Sequence, residues 1–208
     1  MLDINVVKAV LFDMDGTLVT SDAAVERAWM AWAAEYGVDG ATAFEIAHGR
    51  PSEPTVRTLL PHLDEPSTAV AIARQLELQY DDLSDVAAMP GAHELLALLD
   101  RRGLPWAVVT SADVRLAKAR LGAAGIAAPT LVTSDDVPVG KPDPAGYLRA
   151  ADLLGVRPTD CLVVEDADAG LEAARKAGSY TAALRGLDGD LRLGSLDDLL
   201  TLFRSERP

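Results

Sequence analysis

Val6-Val7-Lys8-Ala9-Val10-Leu11-Phe12-Asp13-Met14-Asp15-Gly16-Thr17 decides the fold of this chain. The apolar run from Val6 to Phe12 reads as a buried strand, and it ends abruptly in two carboxylates and a glycine. A strand that delivers charge to its carboxyl end is the pattern of open α/β sheets, which place their ligands there. Core packing does not call for two acids at that point. Burying one unpaired carboxylate costs several kcal/mol, and two of them ~4 Å apart repel by about 4 kcal/mol at an effective dielectric of ~20. A divalent cation, a nearby lysine or a shared proton removes that cost.

From Met89 onward, strand and helix signals alternate. Helices are predicted over His93–Arg102, Val114–Ala124 and Gly170–Ala177, and from Asp143 as N-cap and Pro144 to Leu154, each followed by a glycine. Strands are predicted over Trp106–Val109, Thr130–Thr133, Leu162–Val164 and Tyr180–Leu184. Such alternation implies a parallel, doubly wound sheet. Between Thr20 and Ala88 helical periodicity takes over. Ser21 reads as an N-cap, and Val25, Ala28, Trp29, Trp32 and Tyr36 form one apolar stripe before Gly37. Further helices are expected at Thr42–Ala47, Thr55–Leu60 and Ser67–Leu83, with a loop at His48-Gly49-Arg50-Pro51-Ser52. The fold class is therefore α/β, a doubly wound, Rossmann-like core of residues 1–19 and 89–208 with an all-helical insertion, 20–88, as a cap. The two tryptophans of the insertion, Trp29 and Trp32, read as cap core.

The chain has 208 residues and a net charge of −13. No basic stripe exists to neutralise nucleic acid, although a few local cations can still hold a small phosphorylated molecule. The only cysteine is Cys161, which excludes an intrachain disulfide and fits a reducing compartment. It sits in an apolar run and reads as a buried strand residue. No apolar stretch is long enough for a bilayer, and the start Met-Leu-Asp-Ile-Asn has no secretory pattern. The expectation is a cytoplasmic protein with no membrane partner, either monomer or dimer.

Four strand ends carry unusual polar residues: Asp13 and Asp15; Thr110 and Ser111; Lys141 in Gly140-Lys141-Pro142-Asp143-Pro144; and Glu165 and Asp166. A parallel sheet brings all four to one edge. Taken singly each has a plainer reading, as a cap, a solvated lysine or a surface turn. Taken in that order, each just after its apolar run, they resemble the four motifs of the haloacid dehalogenase superfamily of phosphotransferases across essentially the whole chain. The insertion is similar to the family's C1-type cap. Ala24 to Trp29, His48-Gly49-Arg50 and Trp106 to Ser111 look most like the small sugar, hexitol and glycerol phosphate phosphatases.

The resemblance implies roles. Asp13 would be the nucleophile, forming an aspartyl-phosphate. Asp15 would protonate the leaving alkoxide and later deprotonate water, with Thr17 hydrogen-bonding Asp15 in place. Thr110, Ser111 and Lys141 would hold the phosphoryl oxygens. Mg²⁺ would be bound by the carboxylates of Asp13 and Asp166 and the backbone carbonyl of Asp15, with Glu165 helping through water. Gly49 and Arg50 would recognise a small phosphorylated metabolite, with Arg50 the main contact. His62, His93 and Arg57 read as surface residues, and Asp168 as a helix cap. Family members often carry an aspartate where Thr20 stands, at the hinge. True dehalogenases lack the acid at Asp15, and mutases carry a histidine where Val25 stands. The expected activity is a Mg²⁺-dependent sugar or polyol phosphatase. The alternatives are a phosphosugar mutase and a catalytically silent phosphosugar-binding module.

Overall fold

A computed structural model describes residues 2–47 and 51–205. The first strand, β1 (Ala9–Phe12), is shorter than its apolar run. Ile4–Val6 forms a 3-10 turn capped by Asp3, which leaves Val6 exposed. Chain order then gives β2 (Val19–Thr20), α1 (Asp22–Tyr36), α2 (Gly40–Ala47), α3 (Ser52–Leu59) and α4 (Glu65–Leu78). β3 (Ala87–Ala88), α5 (Ala92–Arg102), β4 (Trp106–Val109), α6 (Val114–Ala123), β5 (Leu131–Val132) and α7 (Ala145–Leu154) follow. The chain closes with β6 (Cys161–Glu165), α8 (Asp168–Ala177), β7 (Tyr180–Ala183), β8 (Leu191–Arg192) and α9 (Leu196–Ser205).

The main sheet has the order β5-β4-β1-β6-β7-β8, and every pairing is parallel. This is the α/β doubly wound core expected. β1 lies between β4 and β6, in register Val10 to Trp106 and Ala9 to Cys161. Its side chains alternate between two apolar layers. Val10 and Phe12 pack with Leu95, Leu99 and Phe203, while Ala9 and Leu11 pack with Tyr147, Ala150 and Ala151. Burial on both faces is why β1 shows no polar alternation. From β1 the chain winds outward through β4 and β5, then returns to the other side of β1 and winds outward through β6, β7 and β8. The reversal falls between β1 and β6, and open α/β sheets bind ligands at such a crevice.

Helices α1 to α4 enclose a separate apolar cluster around Trp29, Trp32, Val56 and Ala71. Trp32 is fully buried, stacks on Tyr36 at 4.8 Å and donates its indole N–H to the Ala71 carbonyl at 2.9 Å. The antiparallel pair β2–β3 links this helical block to the core. Several boundaries differ from expectation. α4 begins at Glu65 under an Asp64 cap and stops at Leu78. Asp82 then accepts the Ser84 N–H and hydroxyl, which forms a turn where the predicted helix continued to Leu83. α3 starts at Ser52, and α2 at Gly40 behind Asp39, whose carboxylate accepts the Thr42 N–H. Asp168 is the first residue of α8, and Ala167 holds the cap position. The β2–β3 pair, β8 and α9 carry no element in the sequence reading. Among the described residues no helix is long and apolar enough to cross a membrane.

Candidate active site

The ends of β1 and β6, on either side of the reversal, bring three carboxylates together. One oxygen each of Asp13, Glu165 and Asp166 lies within 4.8 Å of the others. Asp166 reaches the cluster across the bare backbone of Gly16: a Cβ there would collide with its carboxylate. Lys141, in the loop after β5, supplies the balancing charge. Its ammonium donates to Asp13 Oδ1 at 2.5 Å, Glu165 Oε1 at 2.6 Å and the Val109 carbonyl at 3.0 Å. Glu165 is held on every side. Tyr147 donates its hydroxyl to Oε1 at 2.7 Å, and the N–H groups of Asp166 and Ala167 donate to Oε2.

Three buried acids crowd together, two of them paired with the Lys141 ammonium and the third with Arg185, and their protonation equilibria reflect it. Burial first, and then the charge of Glu165, raise the Asp13 carboxyl well above the usual carboxylate range, with Lys141 opposing. Burial and Glu165 also push Asp166 up to about 7, against the pull of Arg185. For Lys141, burial works against the charged form, but Asp13 and Glu165 outweigh it and raise the ammonium well above an ordinary lysine. Surplus negative charge on hard oxygen donors suits a divalent cation of the Mg²⁺ or Ca²⁺ type. Glu165 already has both oxygens engaged by protein donors, which leaves Asp13 and Asp166 as the better-placed ligands. Arg185, in the loop after β7, donates to Asp166 Oδ2 at 2.8 Å and to Asp22 of α1 at 2.8 Å.

Asp15 belongs to a different set of contacts. Its Oδ1 accepts the Ser21 hydroxyl at 2.6 Å, and its Oδ2 accepts the Arg120 guanidinium at 2.8 Å. Ser21 occupies the cap position of α1, but its side chain makes no capping bond because it is spent on Asp15. The expected Thr17 contact to Asp15 does not form. The Thr17 hydroxyl is buried without a partner among the described residues. Thr110 Oγ1 accepts the Ala112 N–H at 3.1 Å, which leaves its proton free to donate elsewhere.

Asp13, Asp15, Thr110, Ser111, Lys141 and Asp166 all line one cavity of about 380 Å³. Its opposite wall comes from the helical block, with apolar Val25, Trp29, Ile72 and Leu76 beside polar Ser52 and Gln79. Gly49 and Arg50, expected to contact substrate, and their neighbour His48 lie outside the described residues. Arg57 pairs with Glu53 and Glu65 on the surface of the helical block, as a helix-surface cation would. Arg120, Tyr147, Gln79 and Arg185 also stand at the site, although no motif in the sequence marks them.

Comparison with known proteins matches residues 7–178 to the family model of haloacid dehalogenase-like hydrolases. The chain is similar to hexitol phosphatase A of Escherichia coli (strain K12), at 39% identity over 93% of this chain and 90% of that protein. It is similar to 2-deoxyglucose-6-phosphate phosphatase 1 of Saccharomyces cerevisiae, at 35% identity over 84% of this chain and 78% of that protein. A solved structure of a hydrolase from Pseudomonas syringae superposes with a TM-score of 0.85 at 27% identity, covering 95% of this chain and 98% of that one.

Proposed function

The chain belongs to the haloacid dehalogenase-like hydrolase family, and from that premise we propose that it is a Mg²⁺-dependent phosphatase of small sugar or polyol phosphates. The observation that carries the reading is the placement of two acids two residues apart in different surroundings. Asp13 lies in the Lys141 cluster, and Asp15 is held by Ser21 and Arg120 on the wall of the same cavity. Paired carboxylates in contrasting environments divide nucleophile from acid–base work.

Asp13 attacks phosphorus through a carboxylate oxygen. The bond from phosphorus to the substrate oxygen breaks, and the proton for that oxygen comes from Asp15. Water then attacks the aspartyl-phosphate on Asp13 while Asp15 takes the water proton, releasing inorganic phosphate and restoring both acids. Thr110, the Ser111 backbone and Lys141 hold the phosphoryl oxygens. The carboxylates of Asp13 and Asp166 and the backbone carbonyl of Asp15 would hold Mg²⁺, which would supply charge neutralisation at the phosphoryl group. The helical block acts as a cap, its mixed apolar and polar wall suited to a sugar or polyol. Arg50 and Gly49 recognise the substrate; Ala47 and Pro51, which flank them in sequence, line the cavity. The names of the relatives, a hexitol phosphatase and a 2-deoxyglucose-6-phosphate phosphatase, support that substrate class. A cytoplasmic location fits the single buried thiol of Cys161.

The test is phosphate release from hexose, hexitol and glycerol phosphates, with Mg²⁺ and with EDTA. Metal-dependent release that disappears in Asp13→Asn is expected. Full activity in that variant overturns the mechanism, and isomerised sugar that keeps its phosphate replaces the phosphatase with a mutase.

A further inference from the structure

Arg120 is an unusual residue to find on the inner face of a helix. It lies on α6 among Leu116, Ala117 and Leu121, is 2% exposed, and brings a charged guanidinium into that face. A buried cation needs partners, and Arg120 divides its donors between two parts of the molecule. Nη1 donates to Asp15 in the core at 2.8 Å, and Nη2 donates to Gln79, at the end of α4, at 2.9 Å. Nε has no partner among the described residues.

The Gln79 end of this bridge is itself fixed within the helical block. Gln79 donates to Gln75 Oε1 at 2.7 Å and to the Ser52 hydroxyl oxygen at 3.3 Å, and Ser52 donates to Gln75. The next residue, Tyr80, donates its hydroxyl to Asp113 at the start of α6, and Arg115 sits 4.1 Å from the centre of its ring. The end of α4 therefore docks on α6, and Arg120 transmits that docking to Asp15. With α4 seated, Arg120 has one donor fixed on Gln79 and the other fixes Asp15 Oδ2. With α4 displaced, Gln79 leaves and the guanidinium loses the contact that orients it.

We propose that Arg120 is a positioning residue that places the acid–base group Asp15 only when the end of the cap, through Gln79, is seated on the core. The inference rests on the phosphatase reading and adds to it the residues that couple the cap to proton transfer. Its signature is dependence on the leaving group. A sugar alkoxide needs a proton in order to leave, whereas p-nitrophenolate does not. Loss of a correctly placed acid therefore slows the first substrate and spares the second.

The experiment compares wild type with Arg120→Met, Arg120→Lys and Gln79→Leu, with folding checked by thermal unfolding. Single-turnover leaving-group release is measured from a hexitol phosphate and from p-nitrophenyl phosphate with saturating Mg²⁺. Gln79→Leu, which does not touch Asp15 and whose loss from the cavity wall is separated from the release step by saturating the single-turnover reaction, is expected to slow the hexitol phosphate about 10-fold and p-nitrophenyl phosphate less than about 2-fold, a fraction of the roughly 10²–10⁴-fold that a general acid supplies. Arg120→Met should widen that gap, and Arg120→Lys, which keeps a charge but not two arms, should fall between. Equal losses on both compounds, no loss, or faster release overturn the inference while leaving the phosphatase intact. A wild-type enzyme that releases phosphate from neither compound overturns the phosphatase reading and this inference with it.

Discussion

At Gly16 the backbone adopts a φ of +79°, and the atom that any side chain would add falls on the Asp166 carboxylate. Gly16→Ala therefore combines left-handed strain with a collision, and should cost about 1–3 kcal/mol. Because the displaced group is a proposed cation ligand, Mg²⁺ affinity should drop as well; thermal unfolding and calorimetric titration check the two effects separately. Cys161 behaves in the opposite way, as a residue with no part in the chemistry. Burial, and secondarily Asp160, push its thiol up to about 11. In the native protein at pH 8 its thiolate is scarcer by about 10²-fold than that of a free cysteine. A disulfide reagent should therefore label the folded chain slowly and the denatured chain at once. The acids and Thr110 were legible because each closely follows an apolar run, and Lys141 because it stands among the turn residues Gly140, Pro142 and Pro144. Arg120 left a fainter trace: a charge at the same helical spacing as Leu116, Ala117 and Leu121, where a solvated residue does not belong. Tyr147 shares its buried face with Ala150 and Ala151 and resembles plain core, and Arg185 sits in a loop with no pattern at all.

Among the elements, those with a long enough signal were readable. β1, β4 and β6 are buried on both faces of the sheet, so each prints four or five consecutive buried residues into the sequence. The two-residue strands β2, β3 and β8 are too short for any periodicity, and only the folded chain pairs them; β5, equally short, was legible because it sits in the run Thr130-Leu131-Val132-Thr133. α4 ends without glycine or proline, so its stop depends on the Asp82 turn and on burial of Gln79, neither of which periodicity registers. The cap helices were visible through their aromatic stripe, and that stripe supports a prediction. Trp32 is the centre of the α1–α4 cluster. Trp32→Ala should cost about 3–5 kcal/mol through the cavity it leaves. Trp32→Phe keeps most of the apolar contact and loses only the indole bond to the Ala71 carbonyl, which keeps its donor within α4, and should cost about 0.5–1.5 kcal/mol. Denaturant unfolding separates the two values. Both variants should lose sugar-phosphate turnover before core structure, because the damage is confined to one wall of the cavity.

For the molecule as a whole, the cations at the site stand out against a net charge of −13. Arg120 and Arg185 each join the helical block to a carboxylate of the core, Arg120 through Gln79 to Asp15 and Arg185 through Asp22 to Asp166. The Arg185 bridge lands on a group proposed above as a cation ligand. Asp166 is 8% exposed, so in the metal-free protein it depends on Arg185 for compensation, whereas Asp22, on the surface, does not. Removing the guanidinium should destabilise the metal-free protein by about 1–3 kcal/mol, the cost of leaving a buried acceptor unpaired. The cation-bound protein should lose less, because Asp166 then has another positive partner. Linkage makes these two statements one: whatever stability Arg185→Met loses without metal and retains with it appears as tighter Mg²⁺ binding. The measurement is the rise in melting temperature on adding Mg²⁺, compared between Arg185→Met and wild type at one pH and ionic strength. A larger rise in the variant identifies Arg185 as a competitor for Asp166 that the cation displaces. An equal rise means that arginine and cation share the carboxylate, each on its own oxygen, and that the tie between α1 and the core survives loading of the site.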